Sequence, residues 1–562
     1  MKITHVKGRP MLHWVGKRTI DTVNAYPAQL VETYNVEKPE KEPTYDRFKE
    51  GPNLLFHGDN KEILSTLLVQ GFRGKIDLIY IDPPFDSGAD YVRKVKLRGK
   101  KEELEAEGHS VIEQTQYTDI WVNDNYLQFM YERLVLIQEL LSEKGSLYLH
   151  CDWHKSHHLR LILDEVFGPD NFQREIIWRI GWISGFKTKA KNWIRNHDTI
   201  YFYTKNKGNF IFNKEYIPYA DDYVRRDGSE PEGEGYPIED TWNCNDIDRM
   251  DSIQIMSFSG EKTGFETQKN ENLLARIIKA SSNKDSIVLD CFAGSGTTAA
   301  VAEKLGRRWI AADLNKGAIQ TTMKRIQTDI NEPRGIAHYR VNNYDFQTEH
   351  ELKEIVVSKY GVETDRKAGF FDGTVNGTLV KIVDLMKPFT RLDIQLIKNE
   401  LQNRPDDVRD ITVLCNGSEV GMQEELDRDN RIHPINKIIV QDIQRDGVTT
   451  YAPAEADVKF ERNEESVTIT IEDYMSPTIL ARMNIDRTEL FDVHIDDFRA
   501  QIDCILIDTD YTGEHFKIVE SDVPEKKEDF VEGEYTVSLP RPDTRVAVKI
   551  IDMLGEETVV TE

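Results

Sequence analysis

The chain has 562 residues, with 98 acidic and 72 basic side chains and a net charge of −26. This length exceeds what one hydrophobic core serves, so we expect two to four domains. No stretch reaches the apolar length of a membrane span, the N-terminus lacks the apolar core of a signal peptide, and the five cysteines form no C-x-x-C pair. We therefore expect a cytoplasmic protein without membrane contact, structural disulfides or a metal site.

The negative charge is unevenly distributed along the chain. Residues 346–562 hold 47 acidic and 25 basic residues, a net charge of −22, which leaves 51 acidic and 47 basic residues before them, a net charge of −4. Two segments of the first part, 93–101 and 174–207, are locally basic. An acidic total therefore does not exclude nucleic-acid binding.

Five regions succeed one another in the sequence. Residues 1–50 are polar and contain several prolines, which predicts an extended arm. Short apolar strands then alternate with helical stretches over 51–207 and again over 263–350, which predicts a parallel sheet with helices on it. Residues 208–262 are irregular and rich in Gly, Asp, Asn and Pro, as expected of an insertion. Residues 351–562 have many β-branched runs and predict a separate α+β or mainly β domain.

A glycine-rich turn comes directly after one of the predicted strands. "VLDCFAGSGTT" places Asp290 at the strand end and Gly294 and Gly296 in the turn, where a ligand can approach the backbone. The next strand, "RRWIAAD", ends in Asp313, where an acid can bind both ribose hydroxyls of an adenosine. Alone, such a turn also suits nicotinamide or flavin, or merely packs a helix on a strand. Because the third glycine of dinucleotide sites and a Walker lysine are both missing, S-adenosylmethionine is favoured.

An acidic and proline-rich segment ends an earlier strand. In "DLIYIDPPFDSGADY" the apolar run stops at Asp82, Pro83, Pro84 and Phe85. Two prolines can simply end a strand, and the acid can cap the segment after it. The motif indicates a functional site only when it is considered together with the glycine-rich turn downstream.

The order of these motifs resembles that of the β-class amino DNA methyltransferases, in which the catalytic half precedes the cofactor half. "LLFHGDNKEIL", "LIYIDPPFDSGADY", "GSLYLHCD" and "NHDTIYFYTKN" are similar to the modification subunits of type III restriction systems over about residues 50–345. The resemblance implies a Rossmann-like sheet with circularly permuted motifs and S-adenosylmethionine as cofactor. The residues that it assigns to the cofactor are Asp59, Asp82, Thr267, Gln268, Lys269, Asp290, Phe292, Gly294, Gly296, Thr297 and Asp313. Asn270 departs from the family, which usually has proline there.

The resemblance also implies a reaction at an exocyclic base amine, whose lone pair is delocalised into the ring. Asp82 and the carbonyl of Pro83 can accept the two N–H bonds and aim the lone pair at the methyl group. The two prolines fix the backbone, and Phe85 offers a face for the extruded base. Methylation at cytosine C5 is disfavoured because no cysteine follows a proline. Adenine N6 and cytosine N4 both remain, and Asp at the first motif position favours adenine.

Basic and aromatic residues near the catalytic half are candidates for double-stranded DNA binding. The cations are Arg93, Lys94, Lys96, Arg179, Lys187, Lys189, Lys191 and Arg195, and Trp178 and Trp193 lie among them. A packed sheet edge with solvated lysines is the alternative. We expect sequence recognition from 208–262 and partner contacts from 351–562, with either a second copy in a homodimer or a separate helicase-nuclease subunit. The sequence also allows a different function, in which the chain mainly delivers such a partner to DNA.

Overall fold

The computed structural model describes residues 11–84, 93–98, 103–106, 125–179, 191–243, 268–341 and most of 353–562, with short gaps inside several of these ranges. The chain divides into two compact units, of which one takes in residues up to 342 together with 454–562 and the other lies within 343–453. None of the helices in the described ranges is long and apolar enough to cross a bilayer.

The first unit is built on an eleven-stranded sheet. Its strands, in order across the sheet, are β11 (Thr241–Trp242), β7 (Phe172–Arg179), β8 (His197–Thr204), β6 (Leu141–Cys151), β3 (Ile76–Ile81), β12 (Ile287–Asp290), β13 (Arg308–Asp313), β2 (Asn53–His57), β14 (Ile336–Val341), β1 (Ala28–Tyr34) and β22 (Phe516–Ile518).

The six central strands, from β6 to β14, run parallel. Alternate residues of β3 face opposite layers of the core, with Ile79 and Ile81 in one and Leu78 and Tyr80 in the other. Because helices cover both faces, these strands are apolar throughout instead of alternating with polar residues. The predicted α/β sheet with permuted motif order is confirmed, since β3 precedes β12 by some 200 residues in the chain yet lies beside it in the sheet.

Seven helices of this unit lie in the described ranges. They are α1 (Tyr45–Phe48), α2 (Asn60–Leu67), α3 (Asn125–Leu140), α4 (Ser156–Phe167), α5 (Glu271–Ser281), α6 (Thr297–Lys304) and α7 (Lys316–Asp329). Helix α5 shows how the sequence specifies them: Asn270 caps its N-terminus by accepting the Asn272 N–H at 2.8 Å, and Leu273, Leu274, Ile277 and Ile278 form its buried stripe. Asn270 thus serves as the helix cap where the related family usually has proline.

Both ends of the chain contribute to the sheet, which differs from the predicted arm and the predicted single C-terminal domain. Strand β1 pairs with β14 and with β22, so part of 1–50 is built into the sheet. Lys549 also bonds Glu32 of β1 at 2.6 Å in a buried position. Residues 454–562 are therefore part of the first unit, and only the segment within 343–453 stands apart.

The remaining strands form small sheets. In the first unit these are the hairpin β4 (Arg93–Lys96) with β5 (Glu103–Ala106), the pair β9 (Tyr216–Ile217) with β10 (Tyr236–Pro237), the sheet of β19 (Glu455–Arg462), β20 (Ser466–Met475) and β24 (Glu534–Ser538), and the sheet of β21 (Ile502–Asp508), β23 (Glu520–Asp522), β25 (Ala547–Asp552) and β26 (Glu557–Thr561). The second unit has a four-stranded sheet and a helix, namely β15 (Gly373–Val375), β16 (Thr378–Ile382), β17 (Ile411–Cys415), β18 (Ile438–Asp442) and α8 (Arg391–Gln402).

Candidate active site

Four acidic residues lie where four neighbouring parallel strands end. Asp82 directly follows β3, Asp290 and Asp313 end β12 and β13, and Asp59 follows β2 by two residues. The carboxyl ends of adjacent parallel strands meet at one edge of the sheet, where open α/β folds bind their ligands. The fold thus brings together residues that are more than 200 positions apart in sequence.

The glycine-rich turn follows β12 and is hydrogen-bonded to the end of the neighbouring strand β13. The Gly294 N–H donates to Asp313 Oδ2 at 2.8 Å, and Asp313 Oδ1 accepts the Asn315 N–H at 2.8 Å. Gly296 has φ of +72°, and a Cβ there would lie 2.5 Å from the Thr322 hydroxyl oxygen. Any side chain at Gly296 would therefore be strained and would displace helix α7. A carboxylate accepts several hydrogen bonds, so Asp313 can also accept from a ligand hydroxyl.

Asp290 is buried beneath the turn. Its carboxylate accepts the Phe292 N–H at 2.9 Å and the Thr298 hydroxyl at 2.5 Å. Burial raises the pKa of Asp290 to about 7; the two hydrogen bonds oppose the rise, and the carboxylates of Asp82 and Asp313 add to it. A cationic ligand at this position would lower that pKa again and stabilise the charged carboxylate.

The two oxygens of Asp82 have different surroundings. Oδ2 accepts a short hydrogen bond from the Lys269 ammonium group. Oδ1 is buried and has no hydrogen-bond partner among the described residues. The resemblance assigned Lys269 to the cofactor, whereas the structure shows its ammonium group on the Asp82 carboxylate. Lys269 is also linked to the glycine-rich turn, since its carbonyl accepts the Thr297 hydroxyl at 3.2 Å.

Asp59 caps helix α2 and forms an ion pair. Its Oδ1 accepts the Lys61 N–H at 2.8 Å, and its Oδ2 accepts from Arg133 at 2.6 Å. The alternative of an acid that organises a turn therefore has direct support. A contact between Asp59 and the cofactor stays a prediction.

Two buried groups around the site had no role in the sequence prediction. Arg325, on helix α7, donates to the Ser295 carbonyl at 3.3 Å, the Thr297 hydroxyl at 2.9 Å and Glu271 at 2.7 Å, so it fixes the turn. His150 lies beside Asp82, with 4.0 Å between Nδ1 and Oδ1. A mid-helix arginine carries no motif signal, while "GSLYLHCD" marked its strand but not the function of its histidine.

The other predicted site residues fall into three groups. Gln268 is buried next to Lys269, and Phe292 packs edge-on against Phe129. Phe85, Thr267, Lys187 and Lys189 lie outside the described residues, as does 244–262 of the insertion. Arg93, Lys94 and Lys96 are described only through the backbone of β4, which pairs with β5.

The predicted DNA-binding residues near β7 and β8 divide into exposed and buried side chains. Arg179 and Lys191 are exposed, and Trp193 is 99% exposed. Arg195 bonds Asp198 at 2.5 Å, so its charge is already partly balanced. Trp178 is wholly buried between sheet and helices, which excludes it as a stacking face for DNA because its side chain is on the core side of β7.

Arg98 has a structural role within the basic segment 93–101. Its side chain is 3% exposed and donates to the carbonyls of Ile502, Asp503 and Asp529, at 2.8–3.0 Å. Arg98 thus anchors the basic segment, which follows β3 in the chain, to the C-terminal part of the chain.

Comparison with known proteins identifies the class of this site. Residues 76–324 match the family described as DNA methylase. The type II methyltransferase M.EcaI of Enterobacter cloacae is 27% identical over 394 residues, which cover 56% of this chain and 79% of that protein. The DNA adenine methyltransferase YhdJ of Escherichia coli is 26% identical over 294 residues, covering 51% and 85%. The Mod subunit of the type III enzyme EcoP15I of Escherichia coli is 28% identical over 207 residues, covering 36% and 31%.

Most of the site therefore lies within a segment that matches the DNA methylase family, and the chain is similar to DNA methyltransferases. It is similar both to type II methyltransferases and to type III Mod subunits, although the matched segment spans under a third of the EcoP15I Mod subunit.

Proposed function

We propose that this enzyme transfers the methyl group of S-adenosylmethionine to the N6 amine of adenine in double-stranded DNA. The observation that carries the proposal is the buried Oδ1 of Asp82, an acceptor without a hydrogen-bond partner among the described residues at the edge that also holds the glycine-rich turn. Leaving such an acceptor unpaired costs free energy, and an N–H donor from the substrate restores it.

The residues of the site fit the proposed cofactor. Asp290, whose pKa burial raises to about 7, provides a carboxyl that a cationic amino group would hold in its charged form. The Asp313 carboxylate at the end of β13 can accept from ribose hydroxyls, and the positive φ angles of Gly294 and Gly296 form the turn beside it. When bound, S-adenosylmethionine supplies a methyl group activated by a sulfonium centre.

The chain's own residues prepare the amine. Lys269 holds Oδ2 of Asp82, so that Oδ1 can accept one N–H bond while the Pro83 carbonyl accepts the other. Withdrawing both hydrogens from the ring plane localises the nitrogen lone pair towards the methyl group. A bound S-adenosylmethionine would supply the methyl group to this lone pair, and the surplus proton of the amine held by Asp82 and Pro83 would be lost to solvent.

Cytosine N4 is the second candidate base, because its amine would make the same two hydrogen bonds. Asp at the first motif position and the adenine-specific name of the relative YhdJ support adenine. Expression in a host without DNA methylation, followed by single-molecule sequencing, tests the choice. N6-methyladenine at one motif supports the proposal, whereas N4-methylcytosine would show that cytosine is the target base.

The similarity to Mod subunits supports a role in restriction-modification, with 208–262 reading the sequence and a separate helicase-nuclease chain performing cleavage. Exchanging 208–262 for the equivalent segment of a relative should change the methylated motif. Co-expression with a neighbouring helicase-nuclease gene tests the partner. An unchanged motif would move recognition to another region, and failure to co-purify would leave an independent methyltransferase.

A further inference from the structure

A buried histidine lies against the proposed catalytic carboxylate. Strands β3 and β6 run parallel with Ile81 paired to Leu149, so the next residues, Asp82 and His150, are neighbours. The His150 side chain is fully buried, and its Nδ1 lies 4.0 Å from Asp82 Oδ1. That separation is too long for a hydrogen bond, which leaves Oδ1 without a bond from the imidazole.

The orientation of the imidazole is set by its other contacts. Nε2 lies 3.4 Å from Asp198 Oδ2, and Nδ1 lies 3.0 Å from the Tyr80 hydroxyl. An ionised carboxylate only accepts, so Nε2 carries the hydrogen and Nδ1 of the neutral ring accepts the Tyr80 O–H. The Trp178 ring packs edge-on at 5.6 Å and holds the imidazole plane.

The charge on Asp198 keeps this arrangement in place. Burial opposes its ionisation, but the hydrogen bond with His150 and the charges of Arg195 and Lys269 outweigh burial, and the pKa of Asp198 is lowered. Asp198 therefore stays an acceptor at neutral pH. It fixes the hydrogen on Nε2 and so leaves the Nδ1 lone pair for Tyr80.

Tyr80 is the donor that could otherwise reach the catalytic carboxylate. Tyr80 and Asp82 are two residues apart, and side chains at that spacing share one face of a strand. Burial, with the nearby carboxylates of Asp82, Asp290 and Asp198, raises the pKa of Tyr80 well above its ordinary value, so the hydroxyl keeps its proton. That proton needs a buried acceptor: His150 Nδ1 lies 3.0 Å away, and Asp82 is the carboxylate with the largest effect on Tyr80.

We propose that His150 is a positioning residue that holds the Tyr80 hydroxyl proton on Nδ1 and thereby keeps Asp82 Oδ1 open for the target amine. The proposal rests on the role of Asp82 given above. It explains why a buried carboxylate oxygen lies beside two polar side chains without a hydrogen bond from either. Without His150, the phenol turns to Asp82, and the substrate must first displace it.

Single-turnover methylation tests this, with DNA affinity, cofactor affinity and melting temperature measured in parallel. His150→Ala should slow transfer by about 10- to 100-fold, the cost of breaking a hydrogen bond to a charged acceptor, while both affinities stay within about twofold. The double variant His150→Ala with Tyr80→Phe removes the competing hydroxyl. It should transfer faster than His150→Ala alone by about 10-fold. His157→Gln, at an exposed histidine of α4, is the matched control.

Each outcome decides the proposal. A purely structural histidine predicts that the double variant is slower and less stable than the single one, because more of the core is lost. That result, or wild-type transfer by His150→Ala, would overturn the role of His150. Asp82→Ala separates the two proposals: if it retains transfer, the proposed function itself fails, whereas an inactive Asp82→Ala with no rescue by Tyr80→Phe refutes only the inference about His150.

Discussion

The two ends of the eleven-stranded sheet differ in charge and in what holds them together. At one end, Arg179 of β7 and Lys191, which lies between β7 and β8 in the chain, are exposed. The other end finishes in β22, which comes from 454–562, a segment with 28 acidic and 11 basic residues and a net charge of −17. A phosphate backbone is attracted to the first end and repelled by the second. The difference in charge therefore favours binding of DNA at the β7 and β8 end of the sheet.

The proposed site and the acidic end of the sheet use buried charge differently. Asp82, which follows the central strand β3, has a buried Oδ1 without a hydrogen-bond partner among the described residues. At the acidic end, Glu32 of β1 accepts from Lys549 at 2.6 Å and lies 3.0 Å from His338 Nδ1. Under the proposed function, the first arrangement keeps an acceptor for the target amine, whereas the second holds the C-terminal segment to the sheet. Substitutions at the two places should separate rate from stability.

The largest effect is expected at the site. Asp82→Ala removes the acceptor of the target amine and should lower the rate of methyl transfer by about 1,000-fold or more. Cofactor affinity should remain nearly intact, because the glycine-rich turn, Asp290 and Asp313 are unchanged. Single-turnover assays and calorimetry measure the two quantities. Wild-type turnover in this variant would remove Asp82 from the mechanism.

The second effect concerns the acidic end. Burial disfavours the Glu32 carboxylate, but the charge of Lys549 and the hydrogen bond with His338 outweigh burial and hold the pKa of Glu32 well below its usual range. Lys549→Ala leaves that charge buried without its main partner and should cost about 3 kcal/mol of unfolding free energy. Denaturant unfolding measures this, and the double variant Glu32→Gln with Lys549→Met should recover most of the loss.

The lowered pKa of Glu32 also determines how stability depends on pH. Because the pKa of folded Glu32 is lowered, its contribution is fully present above the usual glutamate range, near about pH 4.3, and is lost as the pH falls further. On acidification below that range, the wild type should therefore lose stability relative to the double variant. A difference that stays constant down to strongly acidic pH would show that Glu32 carries no linked stability.

Sequence patterns predicted the site better than they predicted the edges of the sheet. The parallel strands are long apolar runs, and the acids at the ends of β3, β12 and β13 could be placed at one edge by rule. Strand β22 has three residues, and its partner β1 lies almost 500 residues earlier, so no local pattern marks their pairing. Lys269 shows the same limit within the site, because its contact with Asp82 depends on how two distant segments meet.

A third prediction concerns cofactor affinity. Asp313→Ala should weaken binding of S-adenosylmethionine by about 1 to 3 kcal/mol, because the ribose hydroxyls lose their acceptor. The Gly294 N–H loses its partner as well, so Asp313→Asn is the milder comparison. Calorimetry distinguishes the variants, and unchanged affinity in both would exclude Asp313 from the ribose site.

A fourth prediction uses the pKa of Asp290, which burial raises to about 7. Below that pH the carboxyl is mostly protonated, and a cationic amino group must displace the proton in order to bind. Affinity should rise about fivefold from pH 6 to about pH 7.5, with proton release, and fall at higher pH as the amino group of the free ligand, with a usual pKa of about 7.7 to 8.0, loses its charge. Calorimetry in buffers of different ionisation enthalpy measures the protons released. Asp290→Asn should bind more weakly, without this rise.

The smallest expected effect tests the charge difference between the ends directly. Lys191 is an exposed cation at the β7 and β8 end, and Lys41 is an exposed cation that pairs with Glu514 of the acidic segment at 2.9 Å. If DNA binds at the first end, Lys191→Ala should weaken binding a few-fold for all sequences and reduce the slope of log affinity against log salt by about 1. Lys41→Ala should leave that slope unchanged, because no phosphate lies near it. Equal slopes for the two variants would show that neither lysine contacts phosphate, and a smaller slope in Lys41→Ala alone would reverse the proposed approach of DNA.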